Sequence, residues 1–151
     1  MNTIAVLVPL AIVAIVLAVC FSAADAALST LSRHSIERYF EDDDNKRERI
    51  LAMHDDTHTT FATIALGRVL AEATYAVVIT ACMFESLEGL WLPLLLAIIV
   101  TFLVSFMGAS VSPRTLGRRA PEKTISFLAP LVRFARIVLA VPSKVLIHIS
   151  N

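Results

Sequence analysis

Long apolar runs separated by charged stretches lay out the chain. Ile4 to Leu28 is almost uninterrupted, broken only by Ser22 and Asp25 near its end. About twenty apolar residues are needed to cross the hydrocarbon of a bilayer, so the run predicts a first membrane span over about 4–28. Two further runs predict spans over about 61–84 and 90–110. The second holds Arg68 and Glu72, and the third opens with Trp91 and Pro93. A Trp there suits the membrane interface, and a Pro is tolerated in the first turn of a helix.

Between the first two spans the pattern turns polar. Ser29 to Thr60 mixes five Lys and Arg residues with an acidic run, Glu41-Asp-Asp-Asp44, while Ile36, Tyr39, Phe40, Ile50, Leu51 and Met53 recur among them. This predicts short amphipathic juxtamembrane helices over about 32–54, the second capped by Asp43 or Asp44. The acidic run reads as a solvated face. His54-Asp-Asp-Thr-His58 has the i, i+4 spacing of a helical metal pair, but nothing nearby completes a ligand set; a helix cap at Asp56 or Thr57, with the histidines in a loop, is the expectation.

After the third span comes a basic exit, Pro113 to Lys123, then an apolar stretch over about 124–149. Pro130, Arg133, Arg136, Pro142 and Lys144 interrupt that stretch. It predicts a kinked interfacial belt helix with Phe127, Leu131, Phe134 and Val138 toward lipid; a fourth span is the alternative. The fold class expected is therefore an all-α membrane protein with three transmembrane helices.

Composition agrees: 57% of the 151 residues are hydrophobic and mean hydropathy is +0.75. A signal peptide is the rival reading for the first run, given its small residues from Ser22 to Ala27. The lack of a basic side chain before it and the length of its core favour a retained span. All thirteen Lys and Arg lie within Arg33–Arg68 or Arg114–Lys144. By the positive-inside rule both blocks are cytoplasmic, with the N-terminus outside and the C-terminus inside. Zero formal net charge gives no electrostatic pull toward nucleic acid. Cys20 and Cys82 fall in different leaflets of this topology, out of disulfide reach. No nucleophile–base pair or phosphate loop appears, so no enzyme chemistry is expected.

The informative charges are inside the spans. Arg68 and Glu72 are one helical turn apart and share a face. A charge in a span costs roughly 2.5–3.5 kcal/mol and calls for a partner or a water-filled cavity; snorkelling of Arg68 to the headgroups is the alternative. Ser22, Asp25, Arg68, Glu72 and Ser110 are expected at comparable depth. Carboxylate, hydroxyl and carbonyl oxygens suit a hard cation such as Mg²⁺. Asp25 and Glu72 offset by Arg68 leave only −1, however, and interhelical glue is the other reading.

Three stretches carry a resemblance. Phe21-Ser-Ala-Ala-Asp-Ala-Ala-Leu-Ser-Thr-Leu-Ser-Arg33 resembles the first-span signature of the CNNM/CorC (hemolysin-C-like) magnesium transporter family. Leu66-Gly67 is similar to the family's Leu-Gly-Asn in span two. Ser112-Pro-Arg-Thr-Leu-Gly-Arg-Arg-Ala-Pro-Glu122 resembles its exit from span three. The resemblance implies a homodimeric transmembrane domain in the cell (plasma) membrane, or a heterodimer with an intact paralogue. It implies sodium-coupled Mg²⁺ efflux, with Mg²⁺ as cargo and no resident cofactor. The cytosolic CBS pair and C-terminal domain that usually follow are not in these 151 residues. Carried over by position, Ser22 matches the family serine and Asp25 replaces a Glu. Gly67 is kept, Arg68 and Glu72 stand for two Asn, and Ser110 stands for a Glu. Ser22, Asp25 and Glu72 are the implied metal-facing residues.

Overall fold

The structure, a computed structural model, describes residues 3–106 and 112–139. Among them the regular elements are α-helices: α1 (Thr3–Thr30), α2 (Arg33–Tyr39), α3 (Asp44–Asp55), α4 (Thr57–Ser86), α5 (Trp91–Val104), α6 (Ser112–Arg119) and α7 (Pro121–Val138). Two of these, α1 and α4, are long and apolar enough to cross a membrane. The third, α5, is apolar throughout but 14 residues long. A wider helical turn at Ser105–Phe106 prolongs it, and residues 107–111 lie outside the described residues.

α1 and α4 run antiparallel and form the axis of the fold. The buried stripe of α4 repeats at helical spacing through Thr60, Ile64, Gly67, Ala71, Tyr75 and Val78. It meets a face of α1 built mainly from alanines, so the backbones approach closely. In lipid, where burial of apolar groups gains little, such packing of small residues is what holds helices together. One cluster joins Ala14 and Ala18 of α1 to Ala71, Tyr75 and Ile79 of α4 and Ala97 of α5.

A second, larger cluster closes one end of this pair. It gathers Phe21, Ala23, Ala24, Ala27 and Leu28 of α1, Ile36, Ile50 and Met53 of the short helices with Phe40 between them, Ile64 of α4, and Ile125, Leu128, Val132 and Ala135 of α7. Local chemistry fixes the short helices. Ser32 and Ser35 form a reciprocal capping box at the start of α2, each Oγ accepting the other's backbone N–H at 3.2 Å. Asp43 caps α3 by accepting the Lys46 N–H at 3.0 Å. That residue's ammonium, 2.9 Å from the same carboxylate, and its N–H together hold Asp43 below the usual carboxylate range.

Two expectations are corrected and one element is added. The His54–His58 stretch is not a loop: His54 lies in the last turn of α3 and His58 in the first turn of α4. Asp56 stands at the N-cap position of α4 without capping through its side chain; its carboxylate instead accepts from Arg136 of α7 at 2.5 Å. The basic exit contains a helix, α6, because a Pro at its second residue needs no helical N–H donor there. The stretch 140–151, with Pro142 and Lys144, lies outside the described residues.

α7 is amphipathic. Ile125, Leu128, Val132 and Ala135 are buried, while Phe127 is 81% and Phe134 66% exposed, as the lipid-facing pattern predicts. Leu131, expected on that face, packs partly against the core instead. The helix runs through Pro130, whose missing N–H leaves the Ser126 carbonyl without its helical donor.

Candidate functional site

Two glycines bring the polar half of the helix pair together. A Cβ on Gly67 would stand 2.6 Å from the tip of the Phe21 ring, so the ring lies flush on the α4 backbone. A Cβ on Gly117 of α6 would stand 2.6 Å from the Ala23 carbonyl oxygen and 3.1 Å from the Ala27 nitrogen. Both positions require glycine for close approach. As a result, Phe21 to Ala27 of α1 is clasped between α4 and α6, with α7 behind.

Within that clasp Ser22 is fully buried, and Asp25 keeps partial exposure. The Asp25 carboxylate makes no hydrogen bond or ion pair among the described residues, though its carbonyl accepts from the Ser29 hydroxyl at 2.7 Å. On α4, Arg68 Nε lies 3.6 Å from Glu72 Oε1, with the two side chains 29% and 35% exposed. That distance is an ion pair but too long for a hydrogen bond. Nε is accordingly a buried nitrogen without a hydrogen-bond partner among the described residues. The sharing of one face by Arg68 and Glu72 is therefore as the spacing implies, with a looser contact.

The antiparallel register separates what the sequence placed on one level. With Phe21 opposite Gly67, Ser22 stands within a turn of Arg68. Asp25 falls level with Thr63, and Glu72 lies on the other side of Gly67. At 1.5 Å per residue, Asp25 and Glu72 are about 13 Å apart along the axis. These two carboxylates do not converge on one ion. Among the described residues no three His, Cys, Asp or Glu side chains gather as a metal-holding group, the His54–His58 pair included. Ser110 lies outside the described residues.

Residues that sequence reasoning passed over fill the same stripe. Thr60 and Thr63 are buried, donating to the Met53 carbonyl at 3.0 Å and the Thr59 carbonyl at 2.8 Å. Tyr75, 1% exposed, shares a hydrogen bond of 2.6 Å with Ser105 at the C-terminal end of α5. The threonines were detectable, since 60, 63 and 67 share a helical face. The Tyr75–Ser105 pair, thirty residues apart, has no local signal.

A family model described as CNNM, the cyclin M transmembrane N-terminal domain, matches residues 9–151. No curated protein matches the chain.

Proposed function

The chain belongs to the CNNM family, and from that premise we propose that it is the transmembrane domain of a divalent-cation transporter, exporting Mg²⁺ in exchange for sodium along a rewritten path. One observation carries the reading. The three family-like stretches, far apart in sequence, lie against one another: Phe21 on Gly67, and Ala23 to Ala27 on Gly117. In this reading α1, α4 and the segment begun by α5 are three spans, α7 is the belt at the cytoplasmic interface of the cell membrane, and two copies complete the pathway. Ser22 is the surviving family ligand. Asp25 and Glu72 mark successive points along the path rather than one coordination shell, and Ser110 contributes from the third span.

A second reading is favoured by the incompletely satisfied Arg68. Its guanidinium stands where the family resemblance places an amide, and its Nε has no hydrogen-bond partner among the described residues. A fixed cation there would replace the transported one and leave a structural or regulatory subunit. Reconstituting the full-length protein in liposomes and following Mg²⁺ with a fluorescent indicator separates the two. Wild-type flux that disappears in Asp25→Ala supports the transporter. A silent wild type that gains flux as Arg68→Asn with Ser110→Glu supports the built-in cation and rejects transport by the native chain.

A further inference from the structure

A groove of about 200 Å³ lies along the seam between α3 and α7. Each helix lines it with residues at i, i+3, i+4 and i+7: Lys46, Arg49, Ile50 and Met53 from α3, and Ser126, Ala129, Pro130 and Arg133 from α7. That periodicity means each helix gives the seam one whole face. The floor is apolar and the rim is cationic. Lys46 is paired with Asp43 at 2.9 Å. Arg49 and Arg133, both exposed, make no salt bridge or hydrogen bond among the described residues. Three cations thus face the groove against one paired carboxylate.

We propose that this groove is a binding site for the headgroup of an anionic phospholipid, with Arg49 and Arg133 holding the phosphodiester and Ala129 and Pro130, over the buried Ile50 and Met53, receiving the glycerol end. Guanidinium groups are planar forks that match phosphate oxygens two at a time. A soluble phosphate would gain nothing from an apolar floor, whereas an amphipathic anion uses both parts. Placement favours the same source. Phe127 and Phe134, adjacent in sequence to Ser126 and Arg133, are 81% and 66% exposed on the lipid-facing side of α7. The cations therefore sit where an interfacial helix meets headgroups. The Ser126 hydroxyl and its carbonyl, freed by Pro130, add an acceptor for a headgroup hydroxyl. The volume admits a headgroup and excludes a folded partner. The proposal rests on the membrane placement of the chain and is independent of Mg²⁺ flux.

Native mass spectrometry of the full chain in neutral detergent, titrated with phosphatidylglycerol and with phosphatidylcholine, tests it. Phosphatidylglycerol should bind about tenfold more tightly, and Arg49→Gln with Arg133→Gln should weaken it by about tenfold or more, given roughly 1 kcal/mol per basic residue at an anionic surface. Arg118→Gln with Arg119→Gln removes equal charge from exposed positions of α6 and should leave affinity within about twofold. Equal losses in the two pairs, or no headgroup preference, would overturn the site. Displacement of the lipid by inorganic pyrophosphate at comparable concentration would overturn the lipid as its ligand. Should the double variant lose helicity, Arg133→Gln alone decides, with at least about a threefold loss expected and no loss contradicting the proposal.

Discussion

The two halves of α1 belong to one continuous helix and behave differently. From Ile4 to Val16 the helix shows Val6, Ile12, Val13 and Val16 more than half exposed, and only Ala11 and Ala14 are buried. From Phe21 to Leu28 every residue is buried except Asp25. The first half carries β-branched and leucine side chains outward; the second is mostly alanine, and other helices touch it on several sides. Packing and polarity therefore coincide. The half that holds Ser22 and Asp25 is the half that α4, α6 and α7 enclose, and a polar group in a membrane is kept where neighbours can shape its surroundings.

The comparison breaks first at the glycines of the enclosed half. Gly117→Ala should cost about 2 kcal/mol net, because the new methyl meets the Ala23 backbone, which cannot rotate away; the gain in helix propensity of about 1 kcal/mol is already deducted. Thermal unfolding in detergent measures it. Gly67→Ala should cost less, about 1 kcal/mol, since it presses on the tip of the Phe21 ring. Adding Phe21→Leu should recover part of that loss, which a double-mutant cycle reads directly. Tyr75→Phe removes the hydrogen bond to Ser105 and should cost about 0.6 kcal/mol, the average for such bonds between membrane helices. In the open half, Ile12→Ala should change stability by less than about 0.5 kcal/mol. A cost there equal to that of Gly117→Ala would erase the distinction between the halves.

The smallest expected effect lies outside the membrane. Asp43 is held below its unfolded value of about 3.9 by the Lys46 ammonium and N–H. Its support for α3 is therefore complete above that value, declines as pH falls through it, and is gone below the folded pKa. Asp43→Asn should flatten a small acid-side loss of helicity followed by circular dichroism. At neutral pH it should matter less than any glycine change, since the site is solvent-screened.

How much of this was legible in the sequence differs by length scale. Apolar runs gave α1 and α4 within a few residues. The apolar positions among the charges read as one side of helices on the membrane surface; of these, Ile36, Phe40, Ile50 and Met53 are buried in the core, Leu51 packs partly against it and Tyr39 is exposed. The exit helix α6 was not assigned from the sequence, where the stretch stood out only for its basic charge. Its value lies in where Gly117 lands on α1, which only tertiary packing specifies. Arg68 and Glu72 were legible as a pair because a helix guarantees their proximity. Asp25 and Glu72 were expected at one depth, but register between antiparallel helices is set by Phe21 on Gly67, and two residues a few positions off a shared level diverge quickly. Asp56 read as a cap; its partner, Arg136, is eighty residues away.

The central claim is that the enclosed half of α1 carries the cation path. Its most direct test is Mg²⁺ flux in liposomes for wild type, Ser22→Ala and Ile12→Ala, each confirmed folded. The account predicts wild-type flux, a fall of about tenfold in Ser22→Ala as for loss of a group supporting a metal site, and no change in Ile12→Ala. Flux that is unaffected by Ser22→Ala, or a wild type no faster than empty liposomes, would contradict it.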